Sequence, residues 1–163
     1  MTDDVRPFIE IQDRSYARAG VGIRESFPRA AAMDLPRMAA FLDRRRYAVL
    51  ATGRPDGRPQ AAPIAFSVWR GAFWVATVRG ARLRNLRARS YASIVAMEGD
   101  VRPRHRTVIA EGPVSVHEGT AILDSEPEFG RKWRSRFGSD PAWAAAMLEL
   151  RPERVFSFDG SLE

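Results

Sequence analysis

Between Thr77 and Arg89 the chain concentrates side chains that bind anions. Arg79, Arg82, Arg84, Arg87 and Arg89 fall within eleven residues, with no acid among them, and Thr77 supplies a hydroxyl just upstream. Guanidinium charge beside a hydroxyl and a helix start is the donor set of a phosphate site. The side chains give charge-assisted hydrogen bonds, and the helix start gives free amides and the positive end of its dipole. Nothing comparable exists for bond making by the protein itself. There is no cysteine, no Gly-x-Ser-x-Gly elbow, no Walker loop and no Gly-x-Gly-x-x-Gly fingerprint, and the only histidines are His105 and His117. Disulfides and thiolate or serine-elbow nucleophiles are therefore excluded, and a zinc site is left short of ligands. Hard chemistry, if this chain performs any, falls to a cofactor.

A phosphate site works only if its neighbours hold it in place. Phe73 to Val78 reads as a strand, Arg82 to Arg89 as a short helix and Tyr91 to Met97 as a further strand. Upstream, Asp34 can cap a helix whose Leu35, Met38, Phe41 and Leu42 share one face. It ends at Arg44-Arg45-Arg46, where cations suit the negative end of the dipole, or simply a solvated helix end. Tyr47 to Thr52 and residues 58–68 form strands about an Arg54-Pro55-Asp56-Gly57 turn. Glu98-Gly99-Asp100 turns the chain into a long strand, Arg104 to His117, with a kink expected at Gly112-Pro113.

The C-terminal part changes character. Thr120 to Arg136 reads as helix in two pieces divided near Pro127, and Asp140-Pro141 as the start of another helix, DPAWAAAMLEL. Arg154 to Phe158 alternates and closes the series as a strand. Residues 1–33 show no steady period and read as a partly ordered N-terminal extension, available to a partner subunit, before a single domain over 34–163. The fold class expected is α+β, mainly β, with antiparallel strands closing into a small barrel that removes their edges.

The chain's length of 163 residues suits one domain, and its net charge of +6 is unevenly placed. Residues 44–106 carry 14 arginines against Asp56, Glu98 and Asp100, which leaves that window near +11 and the flanks near −5. A coat for nucleic acid would carry less counterbalancing acid and would interleave aromatics with the arginines of 79–106, whereas only Tyr91 stands among those. No apolar run is long enough to span a membrane and no basic-then-apolar leader opens the chain, so a cytoplasmic protein is expected. Arginine outnumbers lysine 25 to one, a bias that discounts arginine abundance as evidence by itself.

The run YAVLAT…PDGRPQAAPIAF…FWVATVRGARLRNLRARSYASIVAM…AEGPVSV resembles the pyridoxamine 5′-phosphate oxidase-like split β-barrels, and within them the actinobacterial flavin and deazaflavin oxidoreductases. The resemblance covers residues 35–118, and 119–159 in outline. It implies an antiparallel split barrel, a homodimer, and FMN or the deazaflavin F-420 held in a groove between subunits. The activity implied is hydride transfer to or from a small conjugated or heteroaromatic substrate. It further implies that Thr77 touches the cofactor phosphate and that Arg82, standing where the family usually has lysine before Asn-Leu, ion-pairs with it. Val78, Arg79 and Asn85 would complete the phosphate loop, and Ala62, Pro63 and Ile64 would pass under the ring system, contributing backbone groups. Thr77 and Arg82 are five apart where the family pattern commonly has six, and Tyr91 stands where it often has proline. Vitamin B6 phosphate oxidation itself is disfavoured, because that enzyme's C-terminal arginine and histidine pair is missing.

Other readings stay open at this point. Arg82 could belong to a solvated helix face, and Asn85 could cap or brace the loop. Arg102, Arg104 and Arg106 alternate and would share a strand face, as a solvent stripe or an anion patch. Trp69 and Trp74 suit core or interface, and Trp133 and Trp143 suit packing or a substrate cleft. The rival functions are a non-catalytic flavin- or haem-binding barrel and, further off, a nucleic-acid-binding one. No catalytic side chain and no metal ligand is assigned.

Overall fold

The computed structural model describes residues 1–101 and 104–162. Helices α1 (Thr2–Ala17), α2 (Val21–Ser26) and α3 (Leu35–Arg44) precede the strands β1 (Tyr47–Gly53), β2 (Pro59–Ala65), β3 (Ser67–Trp69) and β4 (Ala72–Thr77). Helix α4 (Ala81–Ala88) leads into β5 (Tyr91–Glu98) and the long β6 (Arg106–Glu118). Helices α5 (Ile122–Ser125) and α6 (Pro127–Phe137) follow, then β7 (Ala146–Leu150) and β8 (Arg154–Asp159). Among the described residues no helix is long and apolar enough to cross a membrane.

All strand pairs are antiparallel, in the order β2-β1-β5-β6-β7-β4-β3, with β8 also on β6. Strand β6 serves both halves of the sheet: Arg106 to Glu111 pair with β8, and Val114 to Glu118 pair with β7. The handover falls at Gly112-Pro113, where a kink was expected. A side chain at 112 would place Cβ 2.1 Å from the Arg151 carbonyl, so only glycine admits the crossing chain. Alternation fixes the inner face: Ala48 and Leu50, Ala92, Ile94 and Ala96, Val108 and Ala110, and Phe73 and Val75 all point into one apolar core.

The expected return strand over 58–68 is two strands, broken at Phe66. Its first part pairs with β1 and its second with β4. The curled sheet thus ends at β2 on one side and β3 on the other, consecutive strands joined at Phe66, and a cleft opens between β2 and the end of β4.

Two expectations fail. The segment read as a helix from Asp140 is a tight turn followed by β7. All five residues of AMLEL are buried, between β4 on one side and β6 on the other. The helix propensity of Ala, Met, Leu and Glu yields to two ladders of backbone hydrogen bonds and burial on both faces. The N-terminal 33 residues are not a loose extension. Val5, Phe8, Ile11 and Met33 join the barrel core, and Phe8 stacks on Phe73 with ring centroids 4.9 Å apart. The helical spacing was present, but charged residues and Pro7 interrupt it.

The two-piece helix divided near Pro127 is found as α5 and α6. The expected strand from Arg104 starts at Arg106, and Arg102 of the alternating arginine stripe lies outside the described residues.

Candidate functional site

Strand β4 ends at Thr77, which is buried, and the chain turns through Gly80 into α4. Leu83 and Leu86 pin that helix to the core, which leaves Arg84 and Arg87 facing solvent. Arg82, in the first turn of α4, is half-buried and donates from Nη1 to Thr77 Oγ1 over 3.3 Å. Desolvation by burial pulls its guanidinium pKa below the ordinary value. Among the described residues no carboxylate ion-pairs with Arg79, Arg82 or Arg84, whereas the neighbouring Arg87 is taken by Glu118 at 2.6 Å. Helix α4 also starts without a side-chain cap, so its first amides are free for an anion.

Thr77 and Arg82 lie at one end of a cleft of about 550 Å³. One wall is the outer edge of β2, at Pro63, Ile64 and Ala65; the floor is Ala76 to Val78; the far wall is Trp133, Phe137, Pro141 and Trp143. The Phe66 N–H donates to the Arg46 carbonyl at 3.1 Å, which sets the phase of the β1–β2 ladder. By the two-residue period, Ala62 and Ile64 bond β1, while Pro63 and Ala65 turn their backbone groups away from it. Proline is tolerated at 63 because the missing N–H would have pointed off the sheet. The edge thus offers carbonyls and the Ala65 N–H, and little side-chain bulk.

The sequence-derived set separates accordingly. Pro63, Ile64, Thr77, Val78 and Arg82 share the cleft; Ala62, Arg79 and Asn85 do not line it. Asn85 is buried, and its amide Nδ2 donates to Thr52 Oγ1 at 3.0 Å and Gln60 Oε1 at 2.8 Å. Both protons are used, so Asn85 braces α4 against the β1–β2 hairpin. Phe137, Ser139, Asp140 and Pro141 were missed, because 137–139 fell between two expected helices and Asp140-Pro141 was read as the start of the second. Asp140 does not bring a free charge: Arg134 Nη1 holds both its oxygens, at 3.0 and 2.9 Å.

Neither histidine reaches the cleft. His117 Nε2 is 2.9 Å from Glu149 Oε2, its ring 5.1 Å from that of Trp74. His105 lies between the Gly99 carbonyl and Thr107 Oγ1. Among the described residues no group of three or more His, Asp or Glu could hold a metal ion. Trp69 and Trp74 are core residues under α6.

The sequence model of the pyridoxamine 5′-phosphate oxidase family matches residues 35–159, three quarters of the chain. The chain belongs to that family. Among solved structures, it is similar to the haem storage protein HutZ of Vibrio cholerae, with 22% identity, TM-score 0.63, and 78% of this chain and 96% of that one covered. A FAD-binding protein of Mesorhizobium loti matches at 15% identity and TM-score 0.58, over 77% and 94% of the two chains. An F420 reductase matches at 21% identity and TM-score 0.55, over 71% and 93%. No curated protein matches the sequence. At these identities the likeness is one of fold, a curled antiparallel half-barrel of the split-barrel type whose prosthetic groups differ.

The residues present fit a flavin. An unpaired cation and a hydroxyl suit its phosphate, an open backbone edge suits the polar rim of its ring, and the apolar cleft suits the ring itself.

Proposed function

We propose that this protein is a flavin-dependent oxidoreductase that holds FMN, or the deazaflavin F-420, with its phosphate on Arg82 and Thr77 and its ring along Pro63 to Ala65. When bound, the cofactor supplies a hydride exchange with a small conjugated or heteroaromatic substrate. The observation that carries the reading is Arg82: a half-buried cation with no carboxylate partner among the described residues, at the end of an apolar cleft. A cation is left in that state where an anionic ligand completes it. The family's flavin-binding habit supports the same conclusion.

A homodimer is part of the proposal. Tyr47 and Val49 of β1 and Tyr91 and Met97 of β5 share the outer face of the sheet, and Tyr47 is 70% and Met97 55% exposed. Large apolar side chains in adjoining strands suit a second copy of this face.

The test is direct. The purified protein is titrated with FMN and with F-420, following absorbance and heat, and then assayed for reduction of the bound cofactor and turnover. Micromolar binding of either that is lost in Arg82→Ala supports the reading; failure of both to bind overturns it. Binding without turnover would favour a non-catalytic flavin module. A haem module is disfavoured, since both histidines of the chain are engaged away from the cleft.

A further inference from the structure

Trp143 is 63% exposed although it stands on the wall of an apolar cleft. Left bare, so large an apolar surface costs free energy unless something covers it. Nor does the residue sit on a loose loop. The Gly138 N–H closes α6 on the Arg134 carbonyl at 2.7 Å, and the Arg134–Asp140 pair ties the turn down. Within the turn the Ala142 N–H reaches the Asp140 carbonyl at 2.9 Å and the Ala144 N–H reaches that of Pro141 at 2.8 Å. At its base the Ala145 N–H bonds the Thr77 carbonyl at 2.8 Å, so the turn is anchored to the end of β4. A turn held in place beneath an exposed indole suits stacking on a planar ligand, because little backbone entropy is then lost on binding.

The charge on the cleft wall narrows the ligand. Asp140 is neutralised by Arg134, and Arg82 is reserved for the cofactor phosphate, so the wall around Trp143 has no free charge for a substrate. The polar backbone edge of β2 lies on the opposite wall. With the cofactor ring along that edge, as proposed above and as this inference assumes, the remaining space lies between the ring and Trp143. We infer that Trp143 is the specificity-determining residue of the cleft, stacking on a neutral, planar aromatic substrate and holding it against the cofactor.

Menadione, a neutral planar quinone, and its sulfonated analogue are the probes, titrated into the full chain with and without FMN while tryptophan emission and heat are followed. Menadione is expected to bind and quench the wild type. Trp143→Ala should weaken it by about tenfold and Trp143→Phe by no more than about threefold, with FMN affinity moved by less than about threefold in both. The exposed position should leave the melting temperature of both variants near that of the wild type. Three results overturn the inference: no menadione binding to the wild type, equal binding to Trp143→Ala, or sulfonated menadione bound as tightly as the neutral form. Failure of both FMN and F-420 to bind the wild type would instead sink the oxidoreductase reading, and the comparison of menadione on wild type and Trp143→Ala would still decide the role of Trp143.

Discussion

Arg82 gives up much of its water on folding and gains in return one hydroxyl, that of Thr77. Such a residue trades stability for function, and the two effects separate by mutation. Arg82→Met should stabilise the ligand-free protein by about 1 kcal/mol while abolishing phosphate recognition, as read from melting curves and FMN titration. Arg82→Ala should weaken FMN by about tenfold or more, and Arg82→Lys by less, since lysine keeps the charge but loses the fork. Riboflavin, which has no phosphate, should bind wild type and Arg82→Ala alike. Asp4 behaves in the opposite sense. Burial opposes its ionisation, but the hydrogen bond from Lys132 at 2.5 Å and the Arg70 N–H at 2.7 Å outweigh it and hold its pKa below the usual carboxylate value. A depressed folded-state pKa stabilises the protein above the unfolded value and is lost as the pH falls through the folded one. Asp4→Asn should therefore flatten the acid side of the stability profile below about pH 4, measured by urea unfolding across pH.

Helix ends show most clearly what positions the cleft. Arg136, near the end of α6, reaches the carbonyls of Leu42 (3.2 Å), Asp43 (2.8 Å) and Phe66 (2.8 Å), and also that of Arg45. One guanidinium thus caps the C-terminus of α3 and fixes the break between β2 and β3, where the barrel splits. Arg136→Ala should cost about 2–4 kcal/mol of unfolding free energy, because it leaves several carbonyls orphaned, and chemical denaturation measures it. Gly112→Ala should destabilise by about 1–3 kcal/mol through the clash with the Arg151 carbonyl. The element boundaries were legible wherever one period dominated, as in α3, β1 and β5. They were not legible in 140–150, where an alanine-rich run becomes a strand. A short apolar run carries no periodicity of its own, and its state is decided by the strands that flank it.

Across the whole molecule, the basic window from 44 to 106 does not act as one field. Arg44, Arg45 and Arg106 all converge on Glu98, and Arg106 also meets Asp159 at 3.1 Å. Arg58 is taken by Asp56 and Arg87 by Glu118. Among the described residues of the window, Arg79, Arg82 and Arg84 about the start of α4, next to the cleft, are among those with no carboxylate partner. The outer apolar face of β1 and β5 is where the proposed second copy should dock. Tyr47→Asp together with Met97→Asp should shift sedimentation from dimer to monomer and leave the monomer folded, since both side chains lie outside the core.

The sequence by itself determined the antiparallel barrel class, the strands β1, β4, β5 and β8 and the Thr77–Arg82 pair, because alternation, turn residues and charge are local signals. Tertiary structure alone decided three things. It turned Asn85 from a ligand candidate into a brace, because Thr52 and Gln60 lie 33 and 25 residues away and only folding brings them to its amide. It drew α1 into the core, because the apolar surface on the barrel is there to be covered. It also built the far wall of the cleft from the α6–β7 turn, since Trp143 meets Arg82 only when β7 pairs beside β4. Chemistry readable from residue types was written in the sequence. Which of those residues face one another depended on long-range pairing, which no local pattern encodes.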